Sequence, residues 1–145
     1  MTTLAIAPIA DADVASVIAL WQACGLTRPW NDPATDIALA RRGPNSAVLI
    51  GRDGNAIVAT AMVGHDGHRG WVYYVATDPE RRGKGYGRAI MNAVEDWLRE
   101  AGMPKLQLLV RRENVAVAAF YQSIGYEEAQ TIVFAKWLDG RAPPT

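Results

Sequence analysis

Residues 81–88, Arg-Arg-Gly-Lys-Gly-Tyr-Gly-Arg, combine three alternating glycines with four cationic side chains. Glycine has no Cβ, so it allows a tight turn and lets a ligand approach the backbone closely. The segment lies between a predicted strand and a predicted helix. The free N–H groups and the dipole at the start of a helix favour an anion. The residue types and their spacing therefore predict a site for phosphate or pyrophosphate.

Three phosphate-binding patterns compete for this glycine-rich loop. The dinucleotide pattern Gly-x-Gly-x-x-Gly needs a third glycine where Arg88 or Ile90 stands. The P-loop needs Ser or Thr after Gly-Lys, whereas Gly85 follows Lys84. The third pattern, Arg/Gln-x-x-Gly-x-Gly/Ala, is matched by residues 82–87. An ordinary glycine-rich turn with solvated Arg and Lys side chains is the alternative for the loop taken alone.

The hydrophobic pattern predicts the elements that position this loop. Strands are predicted over residues 2–9, 47–51, 56–63, 71–77, 105–110 and 131–138. Helices are predicted from about residue 14 to Cys24, over residues 33–42, from the loop to Gly102, and over residues 114–124. Strands joined by turns should pair antiparallel, and the strand–helix–strand unit should pair its two strands in parallel. The fold class is therefore α/β, or α+β with a central mixed sheet flanked by helices.

Length and composition indicate one globular domain. The chain has 145 residues, and 15 Lys and Arg balance 15 Asp and Glu, so broad affinity for nucleic acid is not expected. The single cysteine, Cys24, excludes an internal disulfide, and no segment approaches the roughly 18 apolar residues of a membrane span. We expect a cytoplasmic domain over residues 1–138 with a disordered tail over residues 139–145. No nucleic-acid or membrane partner is expected, and the chain could be a monomer or a homodimer.

Two further motifs, together with the loop, resemble the GCN5-related N-acetyltransferase (GNAT) superfamily. Residues 73–79, Tyr-Tyr-Val-Ala-Thr-Asp-Pro, are similar to the fourth strand of that family. Asn114, Tyr121 and the pair at residues 125–126 resemble its signature of Asn, six residues, Tyr, three residues and Gly-Phe/Tyr. Val117 departs from the family, in which Ala is commoner at this position. The motifs stand in the family's order.

The resemblance covers about residues 45–137 and implies the acyl-CoA N-acyltransferase fold. It also implies an acetyl-CoA-dependent N-acetyltransferase that transfers an acetyl group to a primary amine by direct attack in a ternary complex. Acetyl-CoA would be the donor co-substrate. The residues that the resemblance assigns to it are Val75, Ala76 and Thr77 for the pantetheine arm, Arg82, Gly83, Lys84, Gly85, Tyr86, Gly87 and Arg88 for the pyrophosphate, and Asn114 for the pantetheine.

Tyr121 is the candidate general acid. A phenol with an ordinary pKa of about 10 is neutral at pH 7 and can donate a proton to a departing thiolate. The alternative is a packed core tyrosine beside Phe120. Asn114 has its own alternative, because a helix N-cap has the same residue type and spacing. A backbone N–H near Val75 or Ala76 is the candidate that polarises the thioester carbonyl.

The general base is less well defined by the sequence. Some members of the family place a glutamate on the strand before the loop or on the next strand. Neither residues 70–74 nor residues 106–110 contain a carboxylate, so a direct carboxylate base on these strands is not expected. A water chain that ends at Asp32, Asp66 or His68 is our hypothesis for the base.

Residues 28–33, Arg-Pro-Trp-Asn-Asp-Pro, form a rigid polar loop between the first two predicted helices. The resemblance implies that this loop lines the acceptor site, where Trp30 could stack on a substrate and Asp32 could pair with its amine. The alternative is a helix start, since Asp32 before Pro33 also suits an N-cap. The candidate acceptor-binding residues are Trp30, Asp32, Asp66, His68 and Tyr73.

His65 and His68, with Asp66 between them, raise the possibility of a zinc site. Tight turning is the favoured interpretation, because glycines recur at every third position over residues 64–70 and the chain has no further histidine. We therefore predict no metal.

Local segments also resemble a narrower and poorly characterised bacterial subgroup, the YpeA-like proteins. These segments are Leu20-Trp21 with Cys24, residues 28–33, and residues 66–70. The resemblance to this subgroup does not identify a substrate. A second functional hypothesis is a non-catalytic acyl-CoA-binding or regulatory domain on the same fold. The missing strand carboxylates favour that hypothesis, and Tyr121 argues against it.

Overall fold

A computed structural model of the chain describes residues 4–141, and these fall into two compact units. The first unit ends at Leu109 and the second begins at Val110. The single domain over residues 1–138 and the disordered tail stay predictions. Residues 142–145 of that tail, and residues 2 and 3 of the first predicted strand, lie outside the described range.

The described part of the first unit, residues 4–109, contains five strands and three α-helices. A short 3-10 turn, Asp11–Asp13, leads into the first helix. The elements in chain order are β1 Ala5–Pro8, α1 Val14–Ala23, α2 Pro33–Ala40, β2 Ser46–Asp53, β3 Ala56–His65, β4 Gly70–Thr77, α3 Tyr86–Glu100 and β5 Leu106–Leu108. The second unit contains α4, Val115–Ser123. The helices and strands predicted up to residue 124 are confirmed, with bounds that shift by a few residues.

The five strands form one sheet in the order β1-β2-β3-β4-β5. The first three pairings are antiparallel. β4 and β5 pair in parallel, from Gly70 opposite Leu106 to Val72 opposite Leu108, as a strand–helix–strand connection requires. The predicted mixed sheet is therefore confirmed.

Helices cover both faces of the sheet. Consecutive β3 residues from Val58 to Ala61 are all buried, although neighbouring side chains of a strand point to opposite faces. On one face, α1 and α2 supply Val17, Trp21 and Ile37 to an apolar cluster. The long amphipathic helix α3 contacts β2, β3 and β4 with a buried stripe of its own. That stripe consists of Ile90, Met91, Val94 and Leu98.

The strand predicted over residues 131–138 is wrong. This segment has no strand pairing, and Ile132, Phe134 and Leu138 are largely exposed. A strand forms only where a second strand accepts and donates its main-chain hydrogen bonds, and the described part of the second unit contains none. The apolar and β-branched composition of this segment favours a strand, but no strand among the described residues pairs with it.

Gly70 marks the closest packing between the sheet and α3. A Cβ on this residue would lie 2.4 Å from Cδ1 and 2.7 Å from Cδ2 of the buried Leu98. We expect Gly70→Ala to destabilise the protein by about 1–3 kcal/mol through overpacking. Urea unfolding should show the loss as a lower midpoint.

Gly43→Ala is the matched control, since nothing lies within 4 Å of a Cβ at that position. Its unfolding midpoint should stay near that of the wild type. Equal midpoints for the two variants would contradict the packing argument.

Candidate active site

β4 has a neighbour on both sides over only part of its length. β5 pairs with it from Gly70 to Val72, whereas β4 continues to Thr77. No described strand pairs with this edge of β4 beyond Val72. On this side, the main-chain groups of β4 from residue 73 onward therefore have no strand partner among the described residues, at the end of the strand that leads into the glycine-rich loop.

β4 also bends at this opening. Met62 of β3 opposes Tyr73 and Thr60 opposes Ala76, so Tyr74 and Val75 together face a single β3 residue. This arrangement is a β-bulge, which bends a strand and re-aims the groups that follow. Tyr74 has φ +53°, the one positive φ found for a non-glycine residue within residues 4–141. The predicted pantetheine residues Val75, Ala76 and Thr77 come directly after this bend.

The glycine-rich loop supplies an uncapped helix start. Gly83 and Gly85 have φ of +77° and +76°, in the left-handed region that glycine adopts without a Cβ penalty. Gly85 is the N-cap of α3, and no side chain caps it. The first intrahelical bond runs from Ala89 N to Gly85 O, 3.1 Å, so the preceding N–H groups have no intrahelical acceptor. The cationic side chains of Arg82, Lys84 and Arg88, in and next to this turn, are exposed.

The side chain of Tyr86 anchors the loop to the sheet. It is buried, and its hydroxyl donates to Asp53 Oδ2 at 2.5 Å. The bond to Asp53 is the main reason why the pKa of Tyr86 is raised. The Tyr86 side chain therefore points to Asp53 at the end of β2, which leaves only its main chain for the predicted pyrophosphate contact. Asp53 was missed by the sequence analysis, because nothing local connects it to residue 86.

Tyr121 is a buried side chain in the second unit. Its ring packs edge-to-face with Phe120 at 5.1 Å and with Tyr126 at 5.8 Å. Burial raises the pKa of Tyr121 to about 12, so the phenol is neutral over the physiological range. A neutral phenol is what a general acid requires, although a packed core tyrosine has the same surroundings.

Two predicted site residues are helix N-caps in the structure. Asn114 is exposed, and its Oδ1 accepts a long 3.4 Å bond from Val117 N at the start of α4. Asp32 accepts from Ala34 N at 3.3 Å and from the Thr35 hydroxyl at 2.6 Å at the start of α2. The capping alternative is thus realised at both positions, and it leaves the remaining acceptor capacity of each side chain free for a further role.

The β3–β4 turn uses its polar side chains for its own structure. Asp66 Oδ1 accepts from His68 N at 2.9 Å and from Arg69 N at 2.8 Å, and these bonds lower the pKa of Asp66. His65 Nδ1 accepts from Gly67 N at 3.1 Å. Over the described residues, no group of three or more His, Cys, Asp or Glu could hold a metal ion. The absence of a metal stays a prediction.

Among the candidates for the acceptor side, Trp30 is half-buried, and Tyr73 is 48% exposed on β4. The tyrosine that reaches α2 is the neighbouring Tyr74, whose hydroxyl donates to Asp36 Oδ2 at 2.7 Å. Neither Tyr74 nor Asp36 was predicted as a site residue. Within residues 4–141, no helix is both long and apolar enough to cross a membrane.

The end of β4 that β5 does not pair, the glycine-rich turn and the uncapped helix that follows it are the features expected of the family that the sequence motifs resemble. The sequence model of the acetyltransferase (GNAT) family matches residues 15–126. The chain belongs to this family, and it is an N-acetyltransferase. Membership of the YpeA-like subgroup stays a prediction.

Similar proteins agree with this assignment. The acetyltransferase YE1169 of Yersinia enterocolitica is 40% identical over 128 residues, which cover 88% of this chain and 91% of that protein. Among solved structures, the aminoglycoside acetyltransferase AAC(6')-Iy, bound to the bisubstrate analogue CoA-S-monomethyl-acetylneamine, has a TM-score of 0.79 at 16% identity and covers 94% of this chain and 99% of its own. The ribosomal-protein-S18-alanine N-acetyltransferase of Escherichia coli has a TM-score of 0.72 at 22% identity, with 88% and 80% covered. At such identities, the two structures show the fold alone.

The raised pKa of Tyr121 makes the stability of the protein depend on alkaline pH. A raised pKa in the folded state contributes stability below the unfolded pKa of about 10, and this contribution is lost as the pH rises toward about 12. Between pH 8 and pH 10.5, Tyr121 alone should account for a loss of about 1 kcal/mol. The loss should be absent from Tyr121→Phe when the free energy of unfolding is measured in urea at both pH values. Identical pH dependence of wild type and variant would contradict the burial argument.

Proposed function

We propose that the protein transfers the acetyl group of acetyl-CoA to a primary amine by direct attack in a ternary complex. The observation that carries this proposal is the uncapped start of α3, which follows β4 after the glycine-rich loop, together with the end of β4 that β5 does not pair. The two features suit the two ends of coenzyme A, a pyrophosphate and an amide-rich pantetheine arm. They lie close together in the chain, since β4 ends at Thr77 and α3 begins at Tyr86.

Pyrophosphate binding is assigned to the loop. The N–H groups at the start of α3 and the helix dipole favour an anion, and the exposed side chains of Arg82, Lys84 and Arg88 add positive charge. Gly83 and Gly85 leave open space where a Cβ would stand. The loop therefore fits a ligand that approaches the main chain itself.

Pantetheine binding is assigned to β4. The amides of the pantetheine arm can bind the unpaired edge of β4 at Val75, Ala76 and Thr77 with main-chain hydrogen bonds of the kind that join strands. Asn114 is proposed as a further pantetheine contact in addition to its capping role. Held in this way, the thioester carbonyl would accept a bond from a main-chain N–H at Val75 or Ala76, which stabilises the oxyanion as the amine attacks.

Acetyl transfer forms a C–N bond, breaks the C–S bond and requires two proton movements. The attacking amine must lose a proton, and the departing thiolate must gain one. We assign the second movement to Tyr121, which is protonated at neutral pH. For the first we propose a water chain to Asp32, Asp66 or His68. Two main-chain N–H groups stabilise the charged form of Asp66 and lower its pKa, which weakens this carboxylate as a base.

The acceptor is proposed to be an amine on a small molecule or on a protein. Trp30, Asp32 and Tyr73 are the side chains assigned to it, with an aromatic surface for stacking and a carboxylate for the ammonium group. The two solved enzymes compared above represent both acceptor classes, since one is an aminoglycoside acetyltransferase and the other acts on a ribosomal protein.

A non-catalytic acyl-CoA-binding domain is the second candidate function. The observation in its favour is that β4 and residues 105–110 contain no carboxylate to act as a base. Thiol release with a panel of amines separates the candidates. Release with any amine supports the transferase, and saturable acetyl-CoA binding without release supports the binding domain.

Gly85→Ala tests whether the helix start binds the pyrophosphate. A Cβ at φ +76° strains the turn and shifts the N–H groups that follow it. We expect the affinity for acetyl-CoA, measured by calorimetry, to fall about ten- to a hundredfold, which is the loss of one or two charge-assisted hydrogen bonds.

The matched control is Gly102→Ala, at the other end of the same helix. Gly102 has φ +81°, and it also has nothing within 4 Å of a Cβ. Both variants should lose similar stability, about 1 kcal/mol, from the left-handed conformation. An equal loss of acetyl-CoA affinity in the two variants would contradict the proposal that the loop binds the pyrophosphate.

Tyr121→Phe tests the proposed general acid. Removing the proton donor should lower kcat about a hundredfold or more, because the thiolate must then leave unprotonated or take its proton from water. The dissociation constant of acetyl-CoA should hardly change, since the ring is retained. A wild-type kcat in this variant would show that Tyr121 is a packed core tyrosine and not the general acid.

A further inference from the structure

Tyr74 is held in a conformation that a tyrosine rarely adopts. With φ +53° it lies in the left-handed region, at a cost of about 1–3 kcal/mol for a residue with a bulky side chain. Such residues persist where the surrounding structure fixes them, and they concentrate at functional sites. The strained residue is also the point at which β4 bulges, next to the proposed thioester contact at Val75.

Two side chains of the core hold the ring and the main chain of Tyr74. The fully buried Trp21 of α1 stacks on the ring, with the centroids 3.8 Å apart and the planes 8° from parallel. Its Nε1–H donates to Thr60 Oγ1 at 2.8 Å, and Thr60 Oγ1 donates in turn to the main-chain oxygen of Tyr74 at 3.1 Å. One hydroxyl on β3 therefore links the stacking tryptophan to the strained peptide.

A third side chain fixes the far end of the ring. The Tyr74 hydroxyl donates to Asp36 on α2 at 2.7 Å. Burial and the hydrogen bond to Asp36 raise the pKa of Tyr74 well above its ordinary value, so the phenol stays the donor. Contacts from α1, β3 and α2 thus meet at the single residue that bends β4.

We propose that Trp21, Thr60 and Asp36 are positioning residues that lock the β4 bulge through Tyr74. The locked bulge orients the main chain at Val75 toward the acetyl carbonyl before the donor binds, and this inference rests on the proposed acetyl transfer. Thr60 is the central member, because its side chain binds the Tyr74 carbonyl while its own main chain lies opposite Ala76, where regular pairing resumes. None of the three touches the reacting atoms in this assignment.

The test compares acetyl-CoA with free CoA, which has no acetyl carbonyl. In Thr60→Val, we expect kcat to fall about ten- to a hundredfold, because the main-chain donor is no longer oriented in advance. The affinity for CoA should stay near that of the wild type, whereas any preference of the wild type for acetyl-CoA over CoA should shrink about fivefold, the value of one hydrogen bond. Thr60→Ser keeps the hydroxyl and should restore both kcat and the preference.

Ser46→Ala is the matched control for the loss of a hydroxyl–carbonyl bond. Ser46 Oγ donates to Ala40 O at 2.7 Å, between β2 and the end of α2. Ser46→Ala should lose stability as Thr60→Val does but keep the wild-type kcat. Tyr74→Phe, which retains the stack and loses the bond to Asp36, gives a second and milder variant if Thr60→Val does not fold. It should lower kcat without lowering CoA affinity.

The outcomes separate this inference from the proposed function. Wild-type kcat in both Thr60→Val and Tyr74→Phe, or a parallel fall in CoA affinity and kcat, would overturn the positioning role and leave acetyl transfer standing. If the wild type binds acetyl-CoA but turns over no amine, acetyl transfer fails, and the acetyl-CoA preference of the variants still decides the positioning role. If the wild type binds neither thioester nor CoA, both proposals are overturned.

Discussion

β4 loses its parallel neighbour after Val72, and the site depends on this parting of the sheet. Had β5 continued alongside, its main chain would satisfy the N–H and C=O groups of residues 73–77 and leave none for a ligand. The bulge at Tyr74 bends the strand at the same place, so the exposed groups also change direction. The edge of a sheet that proteins usually protect becomes a surface on which an extended amide chain can form main-chain hydrogen bonds.

The start of α3 gives a local positive potential to a chain whose formal charge is zero. A capping side chain would contribute about 0.5–2 kcal/mol to this helix, and the chain places one at α2 with Asp32 and at α4 with Asn114. At α3 the N-cap is Gly85, which has no side chain to offer. The same chain therefore caps two helices and leaves the long one open, at the position where the N–H groups follow the parted strand. This contrast is a stronger argument for an anionic ligand than the glycines alone.

Most of the fold was predictable because it follows from local chemistry. The pattern at residues 82–87 predicted the loop, since few residues other than glycine take its positive φ values at low cost. The strand predicted over residues 131–138 is wrong because composition reports a propensity and does not supply a partner. The hydrogen bond from Tyr86 to Asp53 spans 33 positions of the sequence, and the one from Tyr74 to Asp36 spans 38 positions. No local pattern can therefore encode them. An aromatic residue in a strand predicts packing, and neither its strain nor its partners can be inferred from its type.

A glycine at position 74 would adopt φ +53° without strain. The presence of a tyrosine at this position therefore needs a physical reason. Glycine would also hold the bulge less firmly, because the stack on Trp21 and the hydrogen bond to Asp36 would both be lost. Main-chain dipoles stabilise an oxyanion efficiently only when they are oriented before the charge develops, since their reorientation would otherwise add to the barrier. The ring of Tyr74 gives Trp21 a surface to stack on and gives Asp36 a donor to bind. Contacts from neighbouring elements thus offset the strain at Tyr74. These same contacts fix the bulge in one geometry.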